Sequence, residues 1–510
     1  MSKEVEIAGI QISQSDWEAT PASVKALVNH LVSVIAQLEG QITPLTERVS
    51  HLEEQLSKNS KNSSKPPSSD GFGTSIKPQP KSGQRRRGGQ SGHPGQSRDL
   101  YPLERCDAVV EHYPKQCKHC GYELAGEDVS PYRHQIVELP TIEPIVTEHR
   151  LHRLVCLHCG KPTRAQLPSE ICASGYGERL SAVVGLLSGV YRQSHQQVVL
   201  LLQDVFNVTM SCGSVNRLRR ELSEALSQPV EAARSYVQAA AVLHSDETSF
   251  KQGNSDGQNL TSKRGWLWVI VTPLVSFFEV VLSRSQATAK ELIGSSVTGV
   301  VVSDRYSSYN WIDLSQRQVC WAHLKRDLTA IAQRSGVSKL IGEALLRRER
   351  RLFRLWHRVR DGTLSRADFI TTIQPLQQGF KVELERAAQL PIDLHEKTPL
   401  AKTVRTCQKI LKIEPALWTF VEQPGVEPTN NVAERALRPA VIWRRISFGS
   451  QSQAGSQFVA RMMTVITSLK AQQRSVLDFL TQTYQAKRLG LTPPSLIPQI
   501  AEEAANPKPP

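Results

Sequence analysis

AAAVLHSDETSF, residues 239–250, is the stretch on which the fold turns. Its apolar start and alternating end read as a strand with Asp246 late in it. TGVVVSD, residues 298–304, is a β-branched run ending on Asp304, and PTNNVAERALRP, residues 428–439, has helical character and carries Glu434. Between the first two, WLWVIVT (266–272) and LVSFFEVVL (274–282) read as a hairpin, and a helix is expected near Gln286–Ile293. RQVCWAHLKRDL (317–328) reads as another strand running into a helix. The expected order of the core is therefore β-β-β-α-β-α-β-α.

Two acids on strands and one on a helix suit a site for two hard divalent cations, because Mg²⁺ prefers carboxylate oxygens. Two metals can stabilise both the attacking and the leaving oxygen of a phosphoryl transfer. HSDETSF (244–250), VVSDRYSSYN (301–310) and PTNNVAERALRP resemble the DDE core of bacterial insertion-sequence transposases, and the wider pattern is similar to the large transposase subunit of insertion-sequence family sixty-six. The similarity covers nearly the whole chain: a coiled coil, the linker KNSSKPPSSDG (61–71), a four-cysteine module containing GEDVS (126–130), the acidic core and a C-terminal helical tail.

The resemblance implies a multidomain protein with an α/β RNase H-like catalytic core, the first two acids lying on adjacent central strands. It implies a DNA transposase that cleaves element ends and transfers them into target DNA. It assigns Asp246, Asp304 and Glu434 to two catalytic Mg²⁺, with Mn²⁺ as a substitute. Glu247, Asp313 and Asp327 are rivals; the match through HSDET favours Asp246 over Glu247. An RNase H-like nuclease or resolvase, or an inactive DNA-binding regulator derived from a transposase, are the alternative functions. Small accessory proteins of the same element are possible partners by resemblance alone.

The expected organisation is a coiled coil at 1–56, a disordered basic linker at 57–100, a Cys₄ zinc module at 101–165, a helical segment at 177–230, the core at 238–470 with a helical insertion at about 327–425, and a helical tail at 471–510. From Val24 to Leu56 apolar residues alternate steps of four and three, the seam of a coiled coil. Gly40 and Pro44 leave open two helices or one kinked helix, and an intramolecular hairpin competes with the preferred self-association. Residues 57–99 carry nine Lys or Arg against Asp70 and Asp99, a net +7, half of the chain's +14. Such a segment should be disordered alone and could settle on phosphates.

Cys117-Lys-His-Cys120 and Cys156-Leu-His-Cys159 are paired C-x₂-C turns separated by 35 residues. Together they supply four thiolates for one structural Zn²⁺. RHQIVELP (133–140) and PIVTEHRLHRLV (144–155) read as strands that return the second turn to the first. Cys106, Cys172, Cys212, Cys320 and Cys407 read as packed thiols.

Residues 194–222 read as helix, turn, helix, with Arg217, Arg219 and Arg220 as DNA-contact candidates on the second helix; a bundle supporting the core is the competing reading. EALLRRERRLFRLWHRVRDG (343–362) reads as an inserted helix with Leu345, Leu352, Trp356 and Val359 inward. Arg438, one turn from Glu434, suits either a phosphate or a salt bridge to that acid. Pro439 should bend or end its helix, and Asn430 and Asn431 could cap its start. His323 suits either a phosphate or water contact or a packed structural role. The N-terminus lacks a signal-peptide core, and residues 265–282 contain Pro273 and Glu279, so a cytoplasmic, nucleoid-associated bacterial protein without membrane spans is expected.

Overall fold

The computed structural model describes residues 4–7, 10–63, 98–168, 171 and 174–498. It divides into two compact units, one comprising residues 1–71, 149–200 and 210–510, the other 72–148 and 201–209. The longer helices are α1 (Ala22–Ser57), α2 (Glu178–Gly189), α3 (His195–Phe206), α4 (Cys212–Ala225), α5 (Ser227–Gln238), α6 (Gln286–Ile293), α7 (Trp321–Ala332), α8 (Gly336–Arg360), α9 (Arg366–Ala388), α10 (Pro399–Leu411), α11 (Asn431–Ser447), α12 (Gln453–Ala471) and α13 (Val476–Leu489).

The first unit is built on a five-stranded sheet of β1 (Val242–Ser249), β2 (Trp266–Val271), β3 (Ser276–Val281), β4 (Val300–Ser303) and β5 (Arg317–Val319). The order across it is β3-β2-β1-β4-β5. β1, β2 and β3 pair antiparallel; β4 and β5 continue parallel to β1. The apolar run at 265–282 is thus a hairpin, as its Thr-Pro turn signal suggests. No helix among the described residues is long and apolar enough to cross a membrane. The helix expected between the fourth and fifth strands is replaced by two 3₁₀ turns, Ser307–Tyr309 and Leu314–Gln316. Buried Tyr309 and Ile312 anchor this crossing in the core, and the two turns with their caps take up most of the thirteen residues between the strands.

Both sheet edges are covered. On β3 the Ser276 amide donates to Ser468 Oγ (3.0 Å) and the Phe278 amide to Thr464 Oγ1 (2.9 Å), both on α12. On β5 the Thr419 hydroxyl donates to Arg317 O and the Phe420 amide to Gln318 Oε1 (2.9 Å). Edge N–H groups that could template aggregation are thereby occupied.

One face of β1 and β4, with Leu243 and Val301, packs into a core shared with α4, α5, α6, α12 and α13. The opposite face, with Val300, Val302 and Val319, packs against α7 to α10. This inserted lobe has an aromatic interior: Trp321 meets Phe380 (5.2 Å) and Trp418 (5.1 Å), and Trp356 meets Phe420 (5.1 Å). Leu345, Leu352 and Trp356 of α8 point inward as their spacing implies.

The helical tail expected at 471–510 is described as far as residue 498, and its helix α13 is docked on the first unit. Tyr484 on α13 donates to Leu218 O (2.7 Å), and Arg488 pairs with Glu178 and Glu221, so α13 packs with α2 and α4. Residues 499–510 lie outside the described residues. So do residues 64–97, most of the basic linker, and Cys172. α1 runs through Gly40 and Pro44 as one helix, and Leu31, Ile35, Leu38, Ile42 and Leu45 of its seam are exposed. Glu4–Ile7 pairs antiparallel with Ile10–Ser13, and the long helix that carries the seam begins at Ala22.

Candidate active site

Side chains alternate along β1, so His244 and Asp246 share one face while Ser245 and Glu247 share the other. The register identifies the faces. His244 pairs with Val302, part of the core under α7 to α10, whereas Glu247 pairs with Trp268, whose ring meets Tyr309. Asp304 stands one residue beyond β4. The β1–β4 pairing ends at His244 and Val302, and Asp246 and Asp304 are the next same-face positions on the two strands.

α11 brings Glu434. Its start is tied to α7 and β1: the Trp321 amide donates to Pro428 O (2.9 Å), the Asn430 amide to Cys320 Sγ (3.1 Å), and Asn430 Nδ2 to Ser245 O (2.8 Å). Asn430 Oδ1 lies 3.1 Å from His244 Nδ1. Asn430 holds the N-cap position, but its side chain makes no cap bond because it is spent on this bridge. Pro439 does not end α11, which continues to Ser447. An internal proline costs about 3 kcal/mol; burial of Ala433, Leu437, Ala440 and Trp443 offsets it.

Asp304 and Glu434 both act on Asp246. Burial, then Glu247, Asp304 and Glu434, push the Asp246 carboxyl well above the usual carboxylate range. Crowded acids with this history are what a cation neutralises. Glu434 Oε1 is buried without a hydrogen-bond partner, as is His323 Nδ1, and the two atoms lie 3.5 Å apart. Cys320 Sγ completes a cluster of potential ligands with them. Among the described residues this cluster includes neither Asp246 nor Asp304, and its sulfur and nitrogen atoms do not suit a hard divalent cation; only the carboxylates around Asp246 do. Burial pushes the Cys320 thiol up to about 11, so it serves as a neutral acceptor for the Asn430 amide.

Glu247 is held elsewhere. Arg284 pairs with it at 2.6 Å and the Tyr309 hydroxyl donates to it at 2.5 Å. Asp327 pairs with Arg305 (2.6 Å), and Asp313 caps the 3₁₀ turn after it. Among the described residues, Glu434 pairs with His323 and not with exposed Arg438.

The cysteine turns are each built on a positive-φ glycine. In one unit Gly121 (φ +74°) donates to Cys117 O and Cys117 donates to Tyr122 O; in the other Gly160 (φ +67°) donates to Cys156 O and Cys156 to Lys161 O. Backbone N–H groups of His119 and Cys120 hold the Cys117 thiol below its ordinary range, and those of Cys159 and His158 do so for Cys156. Both turns thus favour the thiolate that binds zinc. The strands expected at 133–140 and 144–155 shrink to Arg153–Val155, which pairs with Pro162–Arg164 around the second turn. That local hairpin supplies the partner the distant run does not.

Arg219 is not available to DNA. Its guanidinium stacks on Phe458 (4.2 Å), hydrogen-bonds His195, and burial lowers it to about 10. Arg217 and Arg220 are exposed. Val215, Leu218 and Leu222 of α4 are buried, so this helix supports the core. Cys320 and Cys407 are packed thiols, but Cys106 is only partly buried and Cys212 is exposed, because it opens α4 at the surface. Cys320, His244 and Asn430 were not legible as site residues. The i, i+3 spacing of Cys320 and His323 and the i, i+2 spacing of His244 and Asp246 were the available signals.

A profile described as the transposase IS66 family matches residues 187–458, more than half of the chain. The chain belongs to the IS66 transposase family. A second profile, the zinc-finger binding domain of transposase IS66, matches residues 114–160 and spans both cysteine turns. A third, a family of unknown function (DUF6444), matches residues 13–99. Uncharacterized protein y4qI of Sinorhizobium fredii (strain NBRC 101917 / NGR234) is 25% identical over 409 residues, covering 75% of this chain and 72% of its own. Uncharacterized protein y4hP of the same strain is 24% identical over 411 residues, covering 72% and 69%. As an IS66 transposase with a zinc-finger domain, the chain has DNA as its partner class and zinc as a ligand of that domain.

Proposed function

We propose that this IS66 transposase cleaves DNA at the ends of an insertion element and joins them to target DNA, with an RNase H-like core holding two Mg²⁺. The observation that carries the reading is that Asp304, just past the adjacent strand, and Glu434, on a helix, both bear on Asp246. The sheet order, with three antiparallel strands followed by two parallel ones, supports the RNase H-like assignment.

Asp246, Asp304 and Glu434 would hold the cations, which would acidify the nucleophile and neutralise charge on the leaving oxygen. In the first reaction water attacks the scissile phosphodiester and a 3′-hydroxyl leaves. In the second that 3′-hydroxyl attacks a target phosphodiester and displaces a target 3′-hydroxyl. His323 orients Glu434, and Asn430 fixes the helix start against β1. The Glu247–Arg284 pair locks the opposite face of the strand. Catalysis then rests on positioning and electrostatics, with no covalent protein intermediate. Cys117, Cys120, Cys156 and Cys159 together would hold one structural Zn²⁺, and the exposed seam of α1 drives self-association.

Strand transfer of labelled element ends in Mg²⁺ tests the central reading. Asp246→Asn, Asp304→Asn and Glu434→Gln should each lower joining by at least 10³-fold, the scale of losing a major electrostatic contribution. Gel-shift affinity for the same ends should stay within a few-fold, since basic surfaces dominate it. Near-normal joining by any variant removes that residue from the assignment. Binding without any cleavage by the unaltered protein, with accessory proteins supplied, favours a regulator.

A further inference from the structure

β1 and α11, the elements that carry Asp246 and Glu434, both run on into a second feature. A cavity of about 700 Å³ opens beyond Ser249, lined by Lys251, Lys263, Arg264, Arg444, Arg445 and Phe448 among others, and by no carboxylate. Ser249 is three residues past Asp246, about 10 Å along a strand.

The walls of this cleft are fixed to one another. The Ser450 amide donates to Lys251 O (2.9 Å), the Gly253 amide to Ser450 O (2.8 Å), and the Ser255 amide to Gln451 O (2.9 Å). Gly449 sits at φ +104°, and a Cβ there would lie 2.1 Å from Lys251 O. Arg444 is held by Thr248 and Ser249 hydroxyls at 2.8 Å, and Arg264 lies over the Trp266 ring at 5.0 Å. Arg264 and Arg445 both repel the Arg444 charge. Lys251, Lys263 and Arg264 line the same cleft, and like charges gathered on a fixed concave surface attract an anion.

Phe448 supplies a second, independent signal. Its backbone is left-handed at φ +57°, a conformation that strains a bulky residue, and its side chain is 79% exposed. Strain of this kind gathers at functional positions. A bare aromatic ring beside guanidinium groups is the arrangement that stacks a base while cations hold its phosphates. A paired base inside a duplex offers no free face to the ring, and the cavity has the size of a small-ligand site.

We propose that this cleft captures an unpaired nucleotide of the DNA strand leaving the three carboxylates, its base on Phe448 and its phosphates on Lys251, Lys263 and Arg264. The proposal rests on the transposase reading and adds a subsite some three base steps from the chemistry, at 3.4 Å per step. It predicts that element ends with a short single-stranded extension bind better than blunt ends.

The experiment uses full-length, zinc-loaded protein carrying Glu434→Gln, so that binding is read without cleavage. Probes are a blunt duplex of the element end and the same duplex with a four-nucleotide single-stranded extension containing 2-aminopurine. The expected result is about tenfold tighter binding of the extended probe, with quenching of the 2-aminopurine. Phe448→Gly should abolish both the preference and the quenching while keeping blunt-end affinity within about twofold and melting temperature undiminished, since glycine tolerates the left-handed backbone. Phe448→Trp should keep both. Lys263→Ala with Arg264→Ala should lose the preference. Equal affinity for the two probes, or an extension preference untouched in Phe448→Gly, overturns the proposal. Failure of the blunt probe to bind at all counts instead against the transposase reading.

Discussion

Asp246 shows how a single carboxylate can be set against the fold that holds it. It stands half-buried beside Glu247, Asp304 and Glu434, and its charged form is disfavoured. Replacing it by asparagine removes that repulsion at constant size. In chelator, Asp246→Asn should therefore melt a few degrees above the unaltered protein. Added Mg²⁺ should raise the melting temperature of the unaltered protein and leave the variant nearly unmoved. A variant that melts lower in chelator counts against the repulsion argument. At this scale the sequence showed which acids to examine, because each closes a run of distinctive type. The family match through HSDET favoured Asp246 over Glu247, and strand alternation puts the two on opposite faces. The bridge from His244 to Asn430 was beyond reach, since its partners are 186 positions apart and each looks ordinary by itself. Arg219 was misread for a related reason: helical spacing puts arginines on a surface, but says nothing of Phe458 arriving from another helix.

Elements were legible where pattern and partner lie close together. The β2–β3 hairpin and α8 follow their periodicities. Of the two outcomes expected at Pro439, a bend or an end, the end does not occur, because four buried residues hold α11 together past the lost hydrogen bond. The cysteine turns are the opposite case, since both are local and both appear as read. Metal analysis should give one zinc per chain, and Cys156→Ser should lose it while destabilising residues 100–165, followed by limited proteolysis. The separate sheet fold should persist by circular dichroism. Stoichiometric zinc after Cys117 and Cys156 are both replaced would rule this site out.

For the whole molecule, two features extend beyond any one element. The seam of α1 leaves large apolar residues in water, which a second helix would cover. Leu31→Lys with Leu38→Lys should reduce the sedimenting mass; an unchanged mass favours an intramolecular partner. The second feature is Glu279 on β3. Burial raises its pKa to about 7 despite Arg234 and Arg461. A carboxyl whose folded pKa is raised stabilises fully below its unfolded pKa near 4.3, and that contribution is lost as pH rises through about 7. Glu279→Gln should flatten the fall in stability between pH 5 and pH 8, measured by denaturant midpoints. Parallel curves for the two proteins would remove Glu279 as the cause.

The inserted lobe leaves the sheet at Trp321 and returns at Pro428, where one backbone hydrogen bond of 2.9 Å closes the excursion. Its beginning and end are thus neighbours, whatever lies between. Doubling such a loop costs only about 0.6 kcal/mol of closure entropy. The interval of 129 residues from Asp304 to Glu434 is therefore nearly weightless: a lobe half or twice as long would deliver the glutamate to the same place. Spacing along the chain is a poor ruler for this kind of site, and the invariant worth searching for is the clasp at the lobe's neck.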